Sequence, residues 1–188
     1  MLISVQREEL LSLVANVERL EQLYHEAKQT AEHPSLTLMI FSDTLERVEV
    51  AYTMALAAAT MGWKVDMFFA FWGVSAARVK ATYRGKSIID KLITAMTGRT
   101  LDRLKVSKFK MLGSGSHALT DMGERKGLLN CLSLANEATK HPMIALTACS
   151  ATIHIMGIQK HELLEGVRDG GLGNFLHRAS ASNVRFMV

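Results

Sequence analysis

Apolar residues in the first thirty positions recur at spacings of three and four, at Leu10, Leu13, Val17, Leu20 and Tyr24, within a stretch from Arg7 to about Ala31 that holds neither Gly nor Pro. That period predicts an amphipathic helix with a narrow apolar seam. About two heptads are too few for a long coiled coil, so the seam needs a neighbouring subunit or its own domain to cover it. After His33-Pro34-Ser35 the pattern changes to one that alternates short apolar runs with longer periodic stretches, as a parallel sheet requires. Leu36 to Phe41 reads as a buried strand, and Ser42-Asp43-Thr44 supplies N-cap residues for a helix from Leu45 to Met61 that Gly62 stops. Val65 to Phe71 is a second strand, apolar throughout but for Asp66, much as strands covered on both faces are.

From Trp72 to Leu119 the chain is irregular, with one helix near Ser87 to Met96 and glycines at Gly73, Gly85, Gly98, Gly113 and Gly115. A connection of that length is usually functional. A helix from Gly123 to Ala138 then leads into a third strand, Met143 to Thr147, which runs directly into Ala148-Cys149-Ser150. Short helices follow near Ala151 to Met156 and Lys160 to Glu165, then a helix from Leu172 to Ala179 and a closing strand from Asn183 to Met187. No internal repeat interrupts the series. The expectation is an N-terminal helical arm, residues 1–34, that serves oligomerisation, followed by one α/β domain, residues 35–188.

Composition narrows the class. At 48% hydrophobic, 21% charged and two prolines in 188 residues, disorder, collagen and a disulfide scaffold are excluded. The longest apolar stretches, Val50 to Gly62 and Met67 to Val74, fall short of a membrane span. Arg7, Glu8 and Glu9 interrupt the first apolar residues, which is no secretory leader, so a cytoplasmic protein is expected. Cys131 and Cys149 lie far apart without a CxxC pair, which supports neither a zinc site nor a dithiol motif, and no metal or cofactor is expected.

The net charge of +4 conceals a segregation. Residues 1–62 carry four Lys/Arg against nine Asp/Glu, residues 63–128 thirteen against five, and residues 129–188 five against four. Between Arg78 and Lys110 ten basic residues face only Asp90 and Asp102. Such a patch attracts anions by its field, or is simply a solvated surface. Nucleic acid is not expected there, because Tyr83 and Phe109 are the only aromatics available to stack on bases.

Cys149 is the best candidate for chemistry, since it sits where an apolar strand gives way to a helix, at the carboxyl end of the sheet where open α/β folds place their sites. A helix N-terminus offers N–H groups to a thiolate, and Ser150 and Thr152 can add hydroxyl donors. The alternative is a buried structural cysteine, the reading preferred for Cys131 with Leu128, Leu129 and Leu132 around it. His154, about a turn beyond Cys149, is a proton acceptor or a surface residue. His117 follows Gly113-Ser114-Gly115-Ser116, an anion cradle or a hinge without the ending of a phosphate loop. Trp72 and Gly73, just past the second strand on the same edge as Cys149, either wall an apolar pocket or pack in the core.

Phe68 to Val74 (FFAFWGV), Lys110 to Gly113 (KMLG), Thr147 to Ile158 (TACSATIHIMGI) and Gly170 to Leu176 (GGLGNFL) together resemble the DsrE/DsrF/DsrH-like family, most closely its longer branch labelled peroxiredoxin-like. The resemblance runs from about Leu36 to Val188. It implies a three-layer α/β/α domain with a mostly parallel sheet of about five strands, oligomers, and sulfur trafficking through Cys149, without peroxidase activity. The expected substrate pocket around Cys149 comprises Ser150, Thr152, His154, Trp72, Gly73, Ser42 and Gly113. Ala70 and Val74 vary the aromatic block conservatively, and His154 stands where an acidic residue is commoner. The expected function is a sulfurtransferase or sulfur carrier holding sulfane sulfur or a thiosulfonate on Cys149, with sulfur-donor and sulfur-acceptor proteins of the TusA-like or rhodanese-like kind as partners and no nucleic acid. A non-catalytic oligomeric binding subunit is the rival. A flavodoxin-like nucleotide binder lacks a firm phosphate loop.

Overall fold

The computed structural model describes residues 14–24, 34–97, 100–101, 104 and 131–188. It separates into two compact units, Met1–Pro34 and Ser35–Val188. In the first, residues 14–24 are helical, and Val17, Leu20, Leu23 and Tyr24 are exposed. Leu10 and Leu13 lie outside the described residues.

The second unit is an α/β domain with helices flanking a five-stranded, all-parallel sheet. Its elements are β1 (Ser35–Ile40), α1 (Leu45–Thr60), β2 (Lys64–Phe69), a 3₁₀ helix (Phe71–Ala77), α2 (Ile88–Thr97), α3 (Cys131–Lys140), β3 (Ile144–Cys149), α4 (Ser150–Ile155), a 3₁₀ turn (Lys160–Glu162), β4 (Arg168–Gly170), α5 (Leu172–Ala181) and β5 (Val184–Met187). The strand order is β4-β3-β2-β1-β5.

Topology decides which face each helix covers. From β1 to β4 the chain steps across the sheet in one direction, and right-handed crossovers place α1 and α3 on the same face. There Val48, Ala51, Tyr52 and Ala55 of α1 and Leu134, Ala135 and Ala138 of α3 pack on Leu36, Leu38, Ile40, Val65, Met67, Phe69 and Leu146. The return from β4 to β5 runs the opposite way, and the same rule places α5 on the other face, where Phe175 meets Phe68. Gly62, at φ +83°, adopts the left-handed conformation that ends α1.

Local details depart from expectation in four places. Thr44 is the N-cap of α1 but makes no side-chain capping bond, and its N–H donates instead to Ser42 Oγ at 3.3 Å. The second strand stops at Phe69, because Phe71 takes φ +47° and turns the chain into the 3₁₀ helix. The helix expected over Lys160 to Glu165 is a single 3₁₀ turn, since Leu163 bridges to Arg78. Arg168–Gly170 forms a strand that no apolar run announced. The expected helix start at Gly123 lies outside the described residues, where only Cys131–Lys140 is seen.

Candidate functional site

Cys149 is the last residue of β3 and the residue that caps α4. Alternation along β3 sends Ile144, Leu146 and Ala148 to the face that α1 and α3 cover and leaves Cys149 on the other. Its neighbours are Phe68 and Ala70, with Met39 and Phe175 packed against them. Gly170 pairs with Cys149 across the β3–β4 ladder. The thiol is thus flanked by a methyl group on one side and a residue without a side chain on the other. Cys149 itself is 9% exposed.

The turn beside it is held from two directions. Thr152 is buried, and its Oγ1 accepts the Phe71 N–H at 3.1 Å, which fixes the left-handed Phe71 against the start of α4. Gly73 is buried because nothing larger fits: a Cβ there would stand 2.1 Å from the Ile40 carbonyl oxygen. Tyr52 donates its hydroxyl to the Ala76 carbonyl at 2.8 Å and anchors the far end of the 3₁₀ helix, with burial holding its phenol protonated far above the usual range. Phe71 and Trp72 emerge from this frame 65% and 52% exposed.

The expected pocket residues therefore play unequal parts. Ser150 and His154 are exposed, while Trp72 stands on the carboxyl edge of the sheet beyond β2. Thr152 and Gly73 shape the backbone, and Ser42 turns the chain between β1 and α1. Gly113 and His117 lie outside the described residues. The immediate surroundings of the thiol come instead from Met39, Phe68, Ala70, Gly170 and Phe175, two of which belong to the aromatic block that the sequence singled out.

The second cysteine occupies a different environment. Cys131 is buried at the start of α3 with its Sγ toward the Leu45 carbonyl, 3.8 Å away. Burial, with Glu49 adding to it, pushes its thiol up to about 12, so it holds almost no thiolate near neutrality.

The basic stretch is also not all surface. Arg78 and Lys86 are buried, and both serve Glu162, which is 0% exposed. Arg78 Nη2 donates to Glu162 Oε2 at 2.8 Å, Lys86 Nζ lies 2.9 Å from Oε1, and Lys86 Nζ also donates to Thr94 Oγ1 at 3.0 Å. The Thr82 N–H and hydroxyl both donate to Oε1. Burial alone would raise the Glu162 carboxyl, but the Thr82 and Lys86 hydrogen bonds and the Arg78 charge outweigh it and hold the group below the usual carboxylate value. Lys80, Arg84 and Lys91 remain exposed, and Arg99, Arg103, Lys105, Lys108 and Lys110 lie outside the described residues.

Beside Cys149, on the face that α5 covers, is a cleft of about 90 Å³ lined in part by Asp66, Thr147, Arg168, Asp169, Asn174 and Arg178. Arg178 pairs with Asp66 within it. Among the described residues no group of three metal-ligating side chains occurs, and no helix is long and apolar enough to cross a membrane.

With this geometry in view, comparison places the chain. Residues 32–187 match the DsrE/DsrF/DrsH-like family, and the chain belongs to it. It is also similar to YrkE of Bacillus subtilis (strain 168), described as an uncharacterized protein, with 26% identity over 160 residues that cover 85% of this chain and 99% of that one.

Proposed function

Starting from membership of a family associated with sulfur transfer, we propose that the chain is a sulfurtransferase or sulfur carrier that holds a persulfide or thiosulfonate on Cys149 and hands it to the thiol of a partner protein. The observation that carries the reading is the contrast between the two thiols. Cys131 is locked under α1 and protonated, whereas Cys149 ends a strand at the carboxyl edge with the small residues Ala70 and Gly170 as neighbours. In the step itself the Cys149 thiolate attacks a sulfane sulfur, a Cys149 S–S bond forms, and the donor's own S–S or S–sulfonate bond breaks with its electron pair leaving on the donor. No second cysteine is required. Phe71 and Trp72 beyond β2 and Leu172 beyond β4 expose apolar surface on either side of the thiol, as a docking protein donor or acceptor would use.

Intact-mass and peptide mapping after incubation with thiosulfate, tetrathionate or polysulfide tests the proposal. Added sulfur on Cys149, lost in Cys149→Ser and kept in Cys131→Ser, is the expected result. Modification confined to Cys131, or none with any donor, would leave a non-catalytic binding subunit as the better reading.

A further inference from the structure

A helix that packs on its own domain normally turns its apolar side inward, and α2 does the reverse. Ile88, Ile89 and Leu92 are 85%, 68% and 63% exposed. Thr94 is buried instead, and its hydroxyl accepts from Lys86 Nζ at 3.0 Å, the same ammonium that pairs with Glu162. Asp90 also faces inward: a Cβ on Gly157 would stand 2.8 Å from the Asp90 Cβ, so the helix rests against the turn that follows α4. At about 100° per residue, Asp90 and Thr94 share one side of α2, and Ile88, Ile89 and Leu92 lie on the side opposite. Polar groups thus hold the helix to the domain, and its apolar side is left to water among the described residues.

The apolar patch has a basic rim. Lys91 is exposed one turn along from Ile88, and Lys80 and Arg84 are exposed in the segment that leads into the helix. Two α2 helices set face to face would bring these cations together, which argues against a symmetric α2–α2 contact. An acidic helix with an apolar side fits the patch better, and the chain itself carries one. In the N-terminal arm Val14, Val17, Leu20 and Leu23 follow one another at three-residue steps along the helix, all of them exposed, with Glu18 and Glu21 beside them. Over residues 1–34 six glutamates stand against three Lys/Arg. In the single chain both apolar faces are exposed, and contiguous exposed apolar surface of this kind marks an interaction site. Opposite charges at their margins would fix the pairing and disfavour other partners.

We infer that the outward face of α2 is the docking surface for the N-terminal helix of a second copy of this chain. The arm then covers Ile88, Ile89 and Leu92, and its glutamates meet Lys91 and Arg84. The inference is independent of the sulfur-transfer reading of Cys149.

Full-length protein tests it, with sedimentation velocity over a dilution series to read association and far-UV circular dichroism to read the fold. Ile88→Asp/Leu92→Asp, at two exposed positions, should keep the spectrum and raise the half-dissociation concentration at least about tenfold. Arg84→Glu/Lys91→Glu and Glu18→Lys/Glu21→Lys should each weaken association, and the four substitutions together should recover most of the loss. Unchanged association in the Asp variant, or no recovery when both charge sets are reversed, would overturn the inference. A cross-link decides which copy supplies the arm. In a Cys131→Ser/Cys149→Ser background, a chain with Leu20→Cys mixed with a chain with Leu92→Cys should give, on mild oxidation, a disulfide between position 20 of one and position 92 of the other. If that bond forms only within a single chain carrying both substitutions, the arm folds back on its own domain and the inference fails. A monomeric full-length protein would also overturn it and leave an acidic helix of a different protein as the occupant.

Discussion

Replacing Glu162 by Gln removes one negative charge from a site that buries three charged side chains. The amide keeps the volume and one acceptor oxygen. Oε1 now accepts the Thr82 N–H at 2.8 Å and faces Lys86 Nζ at 2.9 Å, while Oε2 faces Arg78 Nη2 at 2.8 Å and Lys86 Nζ at 3.2 Å. Whichever way the amide turns, its NH₂ group points at a cation, and the Arg78 and Lys86 charges stay buried without a counter-charge. Breaking a buried pair by removing one partner costs about 3–5 kcal/mol. For a chain of this size each kcal/mol lowers the melting temperature by about 2–4 °C, so a drop of roughly 6–20 °C is expected in a thermal scan followed by circular dichroism. The pH dependence has a definite sign. A carboxyl held low in the folded state stabilises it fully above the unfolded value of about 4.3, and that stability is lost as pH falls through the lower folded value. Urea titrations from pH 7 downward should therefore show the gap between wild type and Glu162→Gln narrowing below about pH 4.3. A loss under about 1 kcal/mol at pH 7, or a gap that widens in acid, would refute the argument.

Two other outcomes follow from the geometry. Gly73→Ala sets a methyl group against the Ile40 backbone, 2.1 Å from its oxygen and 2.5 Å from its carbonyl carbon, which cannot give way as a side chain end would; destabilisation of about 3 kcal/mol is expected in urea unfolding, and wild-type stability would show that the close approach is relaxed in solution. The exposed seam of Val17, Leu20 and Tyr24 predicts a homo-oligomer that the N-terminal arm strengthens; light scattering should give a multiple of the 20.8 kDa chain mass and a smaller or more readily dissociated species for protein beginning at Pro34, and a monomeric full-length protein would refute it.

What could be read from the sequence follows the range of the interactions involved. β1, β2 and β3 announce themselves because each is a short, mostly apolar run, and Gly62 announces the end of α1 because the stop is local. β4 could not be seen: Arg168-Asp169-Gly170 has no strand-like pattern and is a strand because β3 offers its edge. Phe71 reads as one more strand residue, and only Thr152, 81 positions away, shows why the chain turns there. The same holds for charge. Arg78 and Lys86 look like members of a basic surface until Glu162, 84 and 76 positions further on, is found between them. At the candidate site the cysteine was legible from its place after an apolar run, and so was the aromatic block that supplies Phe68 and Ala70. The charged cleft was not, since Asp66 and Arg178 meet across 112 residues.

The topology gives a physical reason for the cysteine's position. Four strands laid down in one direction send the crossover helices α1 and α3 to one face, so the alternate residues of β1, β2 and β3 on that face are sealed beneath them. Among the described residues the opposite face is met by α5, through Phe175, and none of the residues of α5 is itself buried. A thiol one position earlier, at Ala148, would lie under the packed layer and be closed to any donor. At Cys149 the pleat turns it to the other face, where among the described residues its neighbours are the Phe68–Phe175 ring pair and the small Ala70 and Gly170. The Phe175 ring on that face is half-buried, and its ten-residue helix is tied to β2 by the Arg178–Asp66 pair, an exposed ion pair of the kind that contributes about 0–1 kcal/mol. The parity of a single strand residue thus separates a position sealed beneath α1 and α3 from one on the opposite face of the sheet.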